Sequence, residues 1–184
     1  MRAAVQGGAD AVQLRDKQAG DEELLGLARE LLKVTKPKGI PLIINDRVNV
    51  ARLAGADGVH LGQEDGSLSA ARAALGQEAI VGRSTHSPEQ ALAAQAEGFD
   101  YIGVGPVFET PTKPTYAPVG LELVRFAAQN IRIPFVAIGG IDEKNIREVC
   151  RAGACAVAVV RAVTRRRDPE EAARQLKKIL TEQR

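Results

Sequence analysis

A chain of 184 residues, 45% hydrophobic and 26% charged, has the proportions of one ordinary globular domain. A net charge of +2 and an aromatic content of 3% argue against a nucleic-acid partner, since neither a basic face nor stacking rings are supplied. No apolar run reaches the roughly 18 residues of a membrane helix, and the start does not resemble a secretion signal. Cys150 and Cys155 are spaced unlike a zinc or redox pair, so the expectation is a cytoplasmic chain with two buried thiols and no membrane partner.

Residues 1–6, MRAAVQ, read as the last turns of a helix. They run into GGADAVQLR (7–15), which has counterparts in AGADGVHLG (54–62), AEGFDYIGVG (96–105) and RAGACAVAVV (151–160). In each, glycine ends a helix in the left-handed conformation and an apolar strand follows. Residues 21–34 place Leu24, Leu27, Leu31 and Val34 on one stripe behind an acidic first turn. IPLIIN (40–45), AIVGRS (79–84) and IPFVAIG (133–139) are further apolar runs, near-continuous as in strands covered on both faces. Ser87, Pro88 and Gln90 form a helix-start signature with a capping box. The last segment, 168–180, is expected to bury Ala172, Leu176, Ile179 and Leu180.

Seven strands alternating with helices predict a (β/α)8 barrel spanning 1–184 as one domain. Strand 1 and most of helix 1 are expected to precede Met1 and so to be lacking. An open doubly wound sheet is the alternative, because periodicity does not establish closure.

Barrel chemistry lies at the carboxyl ends of strands. Asp46 and Asp65 end adjacent strands and are candidates to share a magnesium ion, with Arg15, Lys17 and Lys113 supplying positive charge for a diphosphate. The alternative is that each aspartate caps a helix or pairs with a neighbour such as Arg47. IGGI (138–141) fits a barrel phosphate site, or simply a tight turn. The loop at 103–120 carries Thr110, Thr112, Lys113 and Thr115 and is read as a substrate lid. His86, past a strand end, is preferred as an acid–base group over His60, which reads as a core histidine.

QLRDK, INDR, GADGVHLGQED, STHS, YIGVGPVFETPTK and IGGI, in this order, resemble the thiamine-phosphate synthase family. The resemblance implies transfer of a 4-amino-2-methylpyrimidinylmethyl group from its diphosphate to the nitrogen of a thiazole phosphate, with Mg2+ assistance and pyrophosphate release. It implies that Gln13, Leu14, Arg15, Asp16, Lys17, Asn45, Ser84 and Lys113 bind the pyrimidine diphosphate, with Lys113, Ser84 and Arg15 acting in catalysis. Asp46 and Asp65 become the metal ligands. Thr110, Pro111, Thr112, Gly140, Val160 and Arg161 become the thiazole-phosphate site, although the family generally has serine at the position of Arg161. The implied partners are small molecules and, as in relatives, a second copy in a homo-oligomer. Two other readings stay open: a thiazole tautomerase using His86 as proton carrier, and an inactive phosphate-ligand binder.

Overall fold

The computed structural model describes residues 1–110 and 117–182. A short helix α1 (Arg2–Gln6) leads to β1 (Val12–Leu14), α2 (Asp21–Thr35), β2 (Leu42–Asn45), α3 (Val48–Ala54), β3 (Gly58–Leu61), α4 (Leu68–Leu75) and β4 (Ile80–Thr85). Then come α5 (Pro88–Glu97), β5 (Tyr101–Val104), α6 (Gly120–Asn130), β6 (Phe135–Ile138), α7 (Ile146–Arg151), β7 (Val157–Ala158), α8 (Arg161–Thr164) and α9 (Pro169–Glu182).

The strands form a seven-stranded, wholly parallel sheet in the order β1 to β7. A doubly wound sheet reverses its strand order at a switch point, and no reversal occurs here, so that alternative is set aside. β2 and β3 are buried along their whole length, as their unbroken apolar character requires when both faces are covered. The sheet curls until the first and last helices meet. At the α1–α9 crossing a Cβ on Gly7 would lie 2.2 Å from the Glu170 carbonyl oxygen, so only glycine allows the approach. Lys177 of α9 reaches Asp10 at 2.5 Å across the same junction. The result is a TIM-barrel-like α/β fold. Among the described residues no ladder joins β7 to β1.

The repeated aspartate in GADG and GFDY sets the register. Asp57, just before β3, accepts a hydrogen bond from the Leu42 N–H (2.8 Å) and returns its own N–H to the Leu42 carbonyl (3.0 Å). Asp100, just before β5, does the same for Val81 (2.6 and 3.0 Å). Arg72 then holds the Asp100 carboxylate through both oxygens at 2.8 Å. Asp10, the equivalent residue before β1, turns instead to Lys177.

Several details differ from the sequence reading. The buried stripe of α2 runs Leu24, Ala28, Thr35, leaving Leu27 exposed, because the register follows a four-residue spacing from Leu24. In α9 Ala173 and Leu176 are buried, whereas Ala172, Ile179 and Leu180 of the expected set are half-buried. Ser87 caps α5, but Gln90 returns its bond to the His86 N–H (2.7 Å), one residue earlier than a standard box. The thiols are not both buried: Cys155 is exposed, and Cys150 is half-buried with its thiol pushed up by burial. No helix of the described residues is long and apolar enough to cross a membrane.

Replacing Asp100 by alanine strands a part-buried N–H and a guanidinium, a loss of about 1–3 kcal/mol by urea denaturation. Asp10→Ala breaks an exposed pair and should cost at most about 1 kcal/mol in the same measurement. Equal losses at the two positions would contradict the clasp.

Candidate functional site

The carboxyl ends of β1, β2, β3 and β4 bring together most of the expected residues. After β1, Asp16 accepts the N–H groups of Gln18 (2.9 Å) and Ala19 (3.1 Å), which hold its carboxyl below the usual range. Asp16 therefore shapes the loop that presents Arg15 and Lys17. Arg15 Nε is buried with no hydrogen-bond partner among the described residues, an unmet donor at the mouth.

Asp46 follows β2 with φ +64°, and it is the only non-glycine among the described residues with positive φ. The Arg47 N–H returns to the Asn45 carbonyl at 2.8 Å, closing a tight turn centred on Asp46. The Asp46 N–H donates to the His60 carbonyl on β3 at 2.9 Å. Strain of this kind is tolerated best by aspartate, asparagine or glycine, and it concentrates at functional sites. Arg47 pairs with Asp21 at the start of α2, while the Asp46 carboxylate faces Lys17 Nζ at 3.7 Å. Asp46 does not cap the next helix, since the N-cap of α3 is Arg47, with no side-chain cap bond.

Asp65 sits one strand over, in the turn after β3. Its Oδ2 accepts the Gly62 N–H at 2.7 Å, so part of its capacity serves the local turn. Arg83 on β4 braces this turn by donating to the carbonyls of Gln63 and Gly66, both at 2.9 Å. Its guanidinium also lies 5.4 Å from the Phe99 ring centroid. The pattern gave no hint of this bracing role, because its partners are carbonyls of another strand's loop.

Within the sheet's concave face, buried His60 joins Ser84 Oγ through Nε2 (2.8 Å) and the Tyr101 hydroxyl through Nδ1 (2.9 Å). Burial pushes the Tyr101 phenol strongly up. Gly82 and Gly103 make the room: a Cβ at Gly82 would lie 2.2 Å from Tyr101 Cζ, and one at Gly103 3.2 Å from His60 Cε1. His60, read from the sequence as a core histidine, is buried and bonds two polar side chains, while His86 Nδ1 donates to the Gly105 carbonyl.

At the far side of the mouth, Gly139 (φ +104°) and Gly140 (φ +66°) are both left-handed. Cβ atoms there would lie 2.5 Å from Pro106 Cβ and 2.7 Å from the Glu109 carbonyl oxygen. Packing alone thus requires both glycines, and they also keep backbone exposed to an anion. Val160 and Arg161 are exposed at the start of α8, and Thr110 is half-buried at the end of the described loop. Leu14 is half-buried in β1 and Asn45 is buried at the end of β2. Pro111, Thr112, Lys113 and Thr115 lie outside the described residues.

A family model described as thiamine monophosphate synthase matches residues 1–163. The thiamine-phosphate synthase of Thermus thermophilus is 49% identical over 178 residues, covering 96% of this chain and 85% of that protein. That of Chloroflexus aurantiacus is 46% identical over 182 residues, covering 98% and 84%. The thiamine-phosphate synthase of Synechocystis is 48% identical over 96% of this chain, which spans only 51% of it, about half its length. Among solved structures, thiamine phosphate pyrophosphorylase from Pyrococcus furiosus aligns with a TM-score of 0.91 and 38% identity, covering 99% of this chain and 88% of that one.

A Gly82→Ala substitution forces the Tyr101 ring to move, with an overpacking loss of about 1–3 kcal/mol in chemical denaturation and an altered near-UV tyrosine signal. An unchanged spectrum and midpoint would show that the ring does not fill that space.

Proposed function

The chain belongs to the thiamine monophosphate synthase family, and from that membership we propose that it forms thiamine phosphate and pyrophosphate from 4-amino-2-methyl-5-(diphosphooxymethyl)pyrimidine and a thiazole phosphate. The bond between the methylene carbon and the diphosphate oxygen breaks, and the leaving group keeps the electron pair. The thiazole nitrogen then donates its lone pair to the cationic methylene carbon. No protein nucleophile is needed; the demand is for positive charge and donors where negative charge gathers.

The observation that carries this reading is the Asp46 turn, which places a carboxylate at the mouth in a left-handed conformation and sets Lys17 against it. Arg15 and Lys17, with Lys113 outside the described residues, neutralise the departing diphosphate. Ser84 donates to it from within the concave face. The Gly140 turn and Arg161 are assigned to the phosphate of the thiazole, where a guanidinium offers two parallel donors in place of one hydroxyl.

Asp46 and Asp65 are the proposed magnesium ligands. Among the described residues no three acidic, histidine or cysteine side chains cluster as a metal cage. Two carboxylates at neighbouring strand ends suit a hard cation that completes its shell with phosphate oxygens and water. When bound, magnesium would supply further charge neutralisation on the leaving diphosphate.

The proposal extends to the sheet. The match leaves roughly 30 residues of the Thermus relative uncovered, about the size of one strand-and-helix unit. An eighth strand between β1 and β7 completes the barrel in this reading. Asp10 supports it, because its counterparts Asp57 and Asp100 each clasp the neighbouring strand on one side. The second copy of a homo-oligomer and a cytoplasmic setting belong to the same proposal.

Mixing both substrates with Mg2+ should release pyrophosphate. Asp46→Asn keeps the left-handed turn and removes the charge, so the rate should fall on the order of 100-fold with the melting temperature preserved. Full activity in that variant would refute the assignment. Magnesium alone should bind weakly and pyrophosphate should strengthen it. Arg83→Met, by loosening the Asp65 turn, should weaken that joint binding about tenfold in calorimetry.

A further inference from the structure

The ladder between β3 and β4 ends at the pair Leu61–Arg83. Beyond it the chain after β3 turns back on itself: the Gly62 N–H goes to the Asp65 carboxylate (2.7 Å) and the Asp65 N–H to the Gly62 carbonyl (3.2 Å). Side chains then carry the connection to β4, and they do so in both directions. Arg83 donates from β4 to the carbonyls of Gln63 and Gly66. Gln63 donates back from the turn, through Nε2, to the Ser84 carbonyl at 2.5 Å in a part-buried contact. A backbone carbonyl oxygen only accepts, so the N–H end of the amide must face Ser84.

The Ser84 hydroxyl is held from the same strand. Its Oγ lies 2.8 Å from His60 Nε2, and the His60 carbonyl in turn accepts the Asp46 N–H at 2.9 Å. The segment from His60 to Asp65 thus joins three groups assigned to the proposed site. It meets Asp46 through the His60 backbone, Ser84 through the His60 ring and the Gln63 amide, and it ends on Asp65 itself. Gln63 is half-buried and borders a cavity of about 230 Å³ that it shares with Arg83, Gln90 and Ala94. Packing does not wedge its side chain on that side, so the bond to Ser84 sets where the amide sits.

We propose that Gln63 is a positioning residue: by holding the Ser84 carbonyl it fixes the Ser84 hydroxyl against the Asp65 turn, so that one diphosphate meets the serine donor and the metal-binding carboxylates together. It touches no reacting atom. The inference rests on the proposed reaction, in which the diphosphate contacts Ser84 and magnesium sits at Asp46 and Asp65. The tether acts where the backbone ladder has stopped, and releasing it lets the turn and the end of β4 shift relative to each other. A displacement on the order of 1 Å is enough to spoil contacts that must be made simultaneously.

The test is a double-mutant cycle on the binding of inorganic pyrophosphate in saturating Mg2+, read by calorimetry on the wild-type protein, Gln63→Met, Ser84→Ala and the double variant. Methionine matches glutamine in length and lacks the donor. Each single substitution should weaken binding about tenfold. The double variant should also lose about tenfold in total, because a hydroxyl already out of place has little left to contribute. A merely structural role for Gln63 predicts independent losses that multiply to about a hundredfold. Thermal melts identify a variant that fails to fold, and Gln63→Asn, whose amide is one methylene too short to reach, then takes the place of Gln63→Met. Multiplying losses, or a Gln63 variant with wild-type affinity, would overturn the tether. Pyrophosphate release from the two substrates is scored separately. Coupled losses in a protein that releases none keep the tether and sink the reaction, whereas turnover with multiplying losses does the reverse. A wild-type protein that does not bind pyrophosphate in Mg2+ would sink both.

Discussion

The register of the parallel sheet is the constraint on which the site depends, and the Asp57 and Asp100 clasps hold it. Each carboxylate grips the N–H of a residue at the start of the preceding strand while its own backbone bonds the same residue. Side chains alternate across a strand, so a slip of one residue would turn His60 outward and bring Val59 or Leu61 in. Tyr101 would leave the concave face in the same way. The chemistry at one end of the strands is thus fixed by carboxylates at the other end.

Charge is distributed by the same division of labour. Arg47, Arg72 and Arg166 are engaged by Asp21, Asp100 and Glu143, pairs that tie elements together. Arg83 is occupied by carbonyls and an aromatic face. The basic groups that reach the mouth from β1 are of another kind. Lys17 meets Asp46 at a distance longer than a hydrogen bond, and Arg15 keeps a buried donor without a partner among the described residues. Such a mouth gains more from an anion than the paired arginines elsewhere would.

Placements that follow from position along the chain were legible in the sequence. Asp46, Asp65, Arg15 and Lys17 stood out because they end apolar runs, and parallel strands put such ends on one side. The alternation of runs with glycine-capped helices pointed to a barrel while leaving a doubly wound order open, and the unreversed order β1 to β7 excludes the latter. Roles that depend on what lies across the sheet were not legible. That His60 is buried was legible from its apolar strand, but its partners Tyr101 and Ser84 come from two other strands. Arg83 and Tyr101 escaped for the same reason. Leu27 was misplaced because a three-residue and a four-residue step from Leu24 are equally periodic, and only the packed neighbours choose between Leu27 and Ala28.

The two left-handed glycines after β6 have a consequence for divergence. Gly139 and Gly140 are wedged against Pro106, Phe108 and Glu109, and backbone bonds from Val107 and Phe108 to Ile138 and Gly139 fasten the two loops together. Neither loop is then a free variable for natural selection. A side chain gained in one, or a residue inserted in the other, must be matched by a change in its neighbour. New specificity at this end of the barrel is therefore reached by paired substitutions or through Arg161, whose exposed position lies outside the wedge.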